Sequence, residues 1–150
     1  MKQILSTLFA LLIVLPAMAS SPNNWKVSQD FLQMDQNSDE NDDVELSVIM
    51  RTQEDCKPVV IIRTGRVLGS LIHLNGQAIN IDTGTGYSAG RAESQAGNDF
   101  ILSQLFRSKS VTLVNGKIDT YIFDAQGFTS QYRKLEKFCA SEKSIEQTAL

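Results

Sequence analysis

The chain is poor in the residues that carry most catalytic and metal chemistry, with one histidine and two cysteines among 150 residues. With His73 alone, a Cys–His metal site is short of ligands. No motif gives His73 a serine or cysteine nucleophile, so it reads as a partly exposed strand residue. G-x-S-x-G, H-E-x-x-H and the phosphate-binding P-loop are absent. Positive charge is also scarce, with 14 Lys and Arg against 17 Asp and Glu. The basic residues are dispersed (Arg51, Arg63, Arg66, Arg91, Arg107, Lys109, Arg133) and form no stripe for phosphate contacts, which argues against a nucleic-acid partner. No cofactor, no metal and no enzymatic activity are expected.

Long apolar runs are missing everywhere except at the N-terminus. There Lys2 gives a short positive region, Ile4 to Leu15 an apolar stretch, and Ala17-Met18-Ala19 an A-x-A cleavage site. The stretch is too short to cross a hydrocarbon core of about 30 Å comfortably. No lipobox cysteine follows it. Residues 1–19 therefore read as a signal peptide, leaving a periplasmic or secreted chain from Ser20 that does not insert in a membrane after cleavage. Residues 20–140 have the size of a single β-rich exported domain, and 141–150 look like a flexible polar tail. In an oxidising compartment Cys56 and Cys139 are expected to pair as a disulfide.

What is present is mostly strand signal. "NWKVSQDFLQM" holds a first short strand around Trp25 and Val27, and the acidic "DQNSDENDD" reads as a loop. "VELSVIMR" alternates, with Val44, Leu46, Val48 and Met50 on one face. "PVVIIR" is apolar on both faces, as a central strand is. "VLGSLIHL" and "QAINID" flank Asn75-Gly76, a hairpin signal; "SVTLVNG" and "DTYIFDA" are joined through Asn115-Gly116. The period changes in "GNDFILSQLFRS", where Phe100, Ile101 and Leu105 predict a helix with Asn98 as its N-cap. A second helix is predicted at "GFTSQYRKLEKFC", capped by Thr129 or Ser130, with Phe128, Tyr132, Leu135 and Cys139 inward. The expected fold is mainly β, a small antiparallel sandwich or partly closed barrel with two short helices, the C-terminal one disulfide-linked.

Two segments invite a chemical reading. "NIDTGTG" resembles the active-site loop of retroviral-type aspartic proteases, and "LIHLNGQAINIDTGT" their hairpin leading into it. Such an enzyme needs two carboxylates sharing a proton, hence a dimer here. The only later helix of the required kind begins too soon after Asp82 to leave room for the flap, so Asp82 reads as a strand-end turn residue. In the acidic loop 35–43, Asp35, Asn37 and Asp39 fall at the first three ligand positions of an EF-hand-like loop. Glu40 then replaces the glycine and Leu46 the bidentate glutamate, which favours a solvated loop over a calcium site. The segment 83–98, "TGTGYSAGRAESQAGN", is the least generic surface, and Thr83, Gly84, Tyr87 and Arg91 are candidate partner-binding residues.

The order of landmarks resembles the exported VasI/TagO-type proteins associated with type VI secretion. These landmarks are "WKVS", a first cysteine leading into strands, an Ile-Asp strand end, "FILSQLF" and the closing "YIFDAQGFTSQYRKLEKFC". Invasion-associated locus B proteins have a similar ending. Asn80 stands where an arginine would be expected before Ile81-Asp82, and the acidic loop is an insert. The resemblance implies a periplasmic β-sandwich with an accessory, non-enzymatic, protein-binding role toward another envelope or secreted protein. Locally, "TGTGYSAGR" followed by Gly97 is similar to the loop that C-type lysozyme inhibitors insert into the enzyme. Gly84 and Tyr87 match, and Gln95 and Ala96 stand where that family has Trp and Lys. This second resemblance implies an enzyme inhibitor acting through the segment 83–98.

Overall fold

The computed structural model describes residues 24–38, 44–86, 88–117 and 119–148. The expected signal peptide 1–19, residues 39–43 of the acidic loop, and Tyr87 lie outside the described residues. Nine strands and two helices follow in the order β1 (Lys26–Ser28), β2 (Gln33–Asn37), β3 (Val44–Met50), β4 (Pro58–Thr64), β5 (Leu71–Leu74), β6 (Gln77–Asp82), β7 (Ala89–Ala92), α1 (Gln95–Arg107), β8 (Ser110–Asn115), β9 (Asp119–Asp124) and α2 (Phe128–Thr148).

Period-2 alternation decides which side of each strand is covered. In β3, Val44, Leu46, Val48 and Met50 are buried, and the register sets Leu46 opposite Ile62 and Val48 opposite Val60 of β4. The same face continues through Ile72 opposite Ile79, Ile81 opposite Ala92, and Val111 opposite Phe123. All pairings are antiparallel and give one nine-stranded order, β1-β2-β3-β4-β7-β6-β5-β8-β9. The mainly β, antiparallel architecture with two helices is the one the sequence predicts. β4 crosses to β5, and the β5–β6–β7 meander returns so that β7 lies beside β4, a Greek-key path. The crossover 65–70 carries Leu68 onto the core face at Gly90. A Cβ on Gly90 would lie 2.9 Å from Leu68 Cδ2 and 2.5 Å from Ile81 Cγ2, so only glycine leaves room for this passage.

The sheet curls without closing. Trp25, just ahead of β1, donates from Nε1 to the Asp124 carbonyl at the end of β9, 2.9 Å away, so opposite ends of the strand order meet. No ladder joins β1 to β9. Both helices pack on the core face, α1 against β4, β7 and β8 and α2 against β1, β2 and β3. Ile101, Leu102 and Leu105 of α1 meet Phe128, Tyr132, Leu135 and Cys139 of α2 in one apolar core. Trp25 and Phe106 each stack edge-on to Phe128 at 4.9 Å between ring centroids, which locks the seam beneath the Trp25 bond. Cys56 and Cys139 are bonded, with Cα atoms 5.9 Å apart, as the sequence predicts.

Several local expectations are corrected. Asp35 and Asn37 belong to β2, opposite Ser47 and Glu45, because Met34 and Gln36 supply an inward face that a polar segment conceals. "VLGSLIHL" is strand only from Leu71, since the side chain of Asn115 takes the carbonyl of Val67 and the N–H of Gly69. The segment 83–98 contains β7, whose Ala-Gly-Arg-Ala sequence carries no β-branched residue to announce it. Ser94, not Asn98, caps α1: its backbone is extended and its side-chain oxygen accepts the N–H of Gly97 at 3.1 Å. α2 begins at Phe128, directly after Gly127 at φ +80°, so Thr129 and Ser130 are helical residues. The expected polar tail is helix as far as Thr148. Good helix formers fill it, Lys143 pairs with Asp55, and Thr52 donates to Glu146 at 3.1 Å.

Candidate recognition surface

β7 is only four residues long, and this shortness shapes the surface around it. Both of its neighbours run on past its end, so two strand edges lack a strand partner where α1 begins. On the β4 side Asn98 fills the gap. Its Oδ1 accepts the Val60 N–H at 2.9 Å and its Nδ2 donates to the Pro58 carbonyl at 3.1 Å, the two bonds a neighbouring strand would make. On the β6 side no described strand pairs beyond Ile81 opposite Ala92 and Asp82 opposite Arg91, apart from the Glu93 N–H donating to the Asn80 carbonyl. An open groove of about 380 Å³ lies there, between Gln77–Asn80 of β6 and Ala96, Gly97 and Phe100 of α1.

The sequence-predicted residues sit at the other end of β6. The Asp82 side chain accepts the Gly84 N–H at 2.9 Å and the Thr83 carbonyl accepts the Gly86 N–H at 3.2 Å, with Gly84 at φ +56°. This is an Asx-type turn, in which the Asp-Thr-Gly composition closes a strand end. Thr83 is half-buried and Gly84 exposed. Arg91 stands exposed on β7 directly opposite Asp82. A shallow depression of about 190 Å³ lies between Asp82, Arg91, Glu93 and Gln95, with the α1 cap at its floor. Thr83, Gly84 and Arg91 are thus brought to one end of the β6–β7 pair; Tyr87 is outside the described residues.

His73 is exposed on β5 opposite Ala78, with no serine or cysteine bonded to it among the described residues. No cluster of three metal-ligating side chains occurs among the described residues. An ionic cluster that sequence reasoning missed lies on the outer sheet face, where Arg63 donates to Glu45 and to Ser47, and Ser47 to Glu45 at 2.7 Å. Only the β3–β4 register, Glu45 opposite Arg63, brings these charges together. At the disulfide, a hydrogen bond from Lys143 and its charge hold the Asp55 carboxyl below the usual carboxylate range, with Lys57 adding to the effect. Burial, reinforced by the Glu136 carboxylate, pushes the Tyr132 hydroxyl up to about 12.

Compared with known proteins, the chain matches no family model, no curated protein and no solved structure. Among the described residues no helix is long and apolar enough to cross a membrane.

Proposed function

We propose that this chain is an exported, non-enzymatic accessory domain that binds another envelope or secreted protein, in the manner of the type VI secretion-associated proteins it resembles. The observation that carries the reading is the end of the β6–β7 pair. There a glycine turn fixed by Asp82 stands beside an exposed Arg91 over a shallow depression. Such a surface offers hydrogen-bonding backbone, one guanidinium and little depth, which suits a protein partner better than a small molecule. The disulfide accords with export into an oxidising compartment.

The test is complementation of a deletion strain, scored by type VI-dependent killing of a competitor. Arg91→Glu is expected to lose function while Asp82→Asn retains most of it. Full function in Arg91→Glu would remove this surface from the reading, and loss confined to Asp82→Asn, with casein cleavage by the wild type, would restore the protease. Lysozyme assayed with the purified protein is expected to keep its activity; strong inhibition would instead favour the inhibitor role.

A further inference from the structure

The unpaired length of β6 is a hydrogen-bonding edge held inside a groove. The two-residue turn Asn75-Gly76, with φ +48° and +83°, fixes the register of β5 with β6. Along β6 the bonding groups alternate between neighbours. The Ile81 N–H donates to Ser70 on the β5 side, while the Asn80 carbonyl accepts Glu93 on the other. Ala78 has the same parity as Asn80, so its N–H and C=O face away from β5 and into the groove. Its carbonyl takes only a long 3.4 Å contact from the neighbouring Gln77 amide. On the opposite flank the same deficit is met by Asn98. On this flank α1 stands back and leaves room.

The geometry points to this edge as a site where an extended peptide segment bearing a basic side chain adds as a further strand between β6 and α1. The inference rests on the protein-binding reading and narrows its partner to a chain that presents a strand. An exposed N–H and C=O pair specifies peptide backbone, because both groups are satisfied together only by another extended chain. α1 supplies the second wall: Phe100 is half-buried there, and Ala78 and Ala96 keep both walls low. Glu93 is the one ionisable side chain lining the groove among the described residues, and no ion pair occupies it. With the Glu93 carboxylate at the groove, a lysine or arginine is complementary and an acidic segment is not. The remaining edges offer less. β1 has three residues, and the last carbonyl of β9 is already taken by Trp25.

Amide hydrogen exchange by NMR tests this on the oxidised protein, with acetyl-Thr-Val-Lys-Val-Thr-Val-amide as the probe at millimolar concentration. Slowed exchange is expected at Ala78 and Asn80 and not along β1 or β9. A probe with Glu in place of Lys should bind several-fold more weakly. Ala96→Arg, on the exposed face of α1, should fill the groove and abolish the protection. Ala78→Pro should remove the donor on the open side without touching the β5 ladder, and weaken binding about fivefold or more. Protection along β9 instead, equal binding of the two probes, or no protection at all would overturn the inference. Protection of Ala78 that rises with protein concentration alone would assign the edge to a second copy and equally overturn it. Arg91→Glu should leave probe binding intact. If it loses function in complementation while the probe fails to bind, strand addition falls and the accessory reading stands.

Discussion

Two buried side-chain amides, Asn98 on α1 and Gln36 on β2, show how unequal the same chemical group can be at different places in one fold. Asn98 makes both hydrogen bonds that a missing strand would supply to β4. Asn98→Ala removes them together and leaves the Val60 N–H and Pro58 carbonyl unpaired, a loss expected at about 2–3 kcal/mol. Gln36 is 2% exposed on β2, and neither its Oε1 nor its Nε2 has a partner among the described residues. Its desolvation is uncompensated, so Gln36→Met is expected to stabilise by about 1 kcal/mol or more, read as a higher urea midpoint at unchanged slope. Tyr132 gives a pH signature. Its hydroxyl is raised from 10.0 to about 12 in the folded chain, so the folded state holds the proton more tightly. That contribution is complete below pH 10.0 and is lost as pH rises through about 12. Tyr132→Phe should flatten the stability profile across this alkaline window and leave its neutral part parallel to the wild type.

Elements in this chain are held as much by their neighbours as by their own sequence. The turn leading into β4 is tied to α2 by Cys56–Cys139, which closes a sequence separation of 83 residues. Asp55 and Cys56, at φ +56° and +58°, occupy left-handed backbone that costs about 1–2 kcal/mol each. The disulfide and the Lys143–Asp55 pair hold this turn in place. Replacing both cysteines with serine should destabilise by about 4 kcal/mol on the chain-entropy argument, measured by thermal melting against the oxidised protein. Removing residues beyond Cys139 should cost under about 1 kcal/mol, because the last turns of α2 contribute one exposed ion pair and the Thr52–Glu146 hydrogen bond rather than core. The strong strands β3, β4 and β6 and both helical cores were legible because alternation, a continuous apolar run in β4, or 3.6-residue spacing is written into them. β2 and β7 were not. Their inward residues, Met34 and Gln36 in one and Gly90 and Ala92 in the other, are too few or too small to produce a periodic signal.

At the scale of the molecule, the curl of the sheet brings Trp25 and Asp124 together across a sequence distance of 99 residues. Trp25→Phe keeps a ring against Phe128 but loses the bond to Asp124. Amides of β1 and of β9, far apart in the chain, are then expected to lose exchange protection together. Loss confined to β1 would show that the seam is not a cooperative unit.

The mainly antiparallel class, the glycine turns and the one available cysteine pairing follow from the sequence alone, because alternation, positive-φ residues and cysteine count act locally or by simple enumeration. Asp82 as a turn residue belongs with them, since its carboxylate and the Gly84 N–H are two residues apart. The tertiary structure decided the strand order, the Glu45–Arg63–Ser47 cluster, the second role of Asn98 and the open edge at Ala78. Each of these depends on which strand lies beside which and where one strand stops short of its neighbours. A sequence records the face of a strand by its side chains, but the pairing of its backbone is the same for every residue and leaves no mark in it.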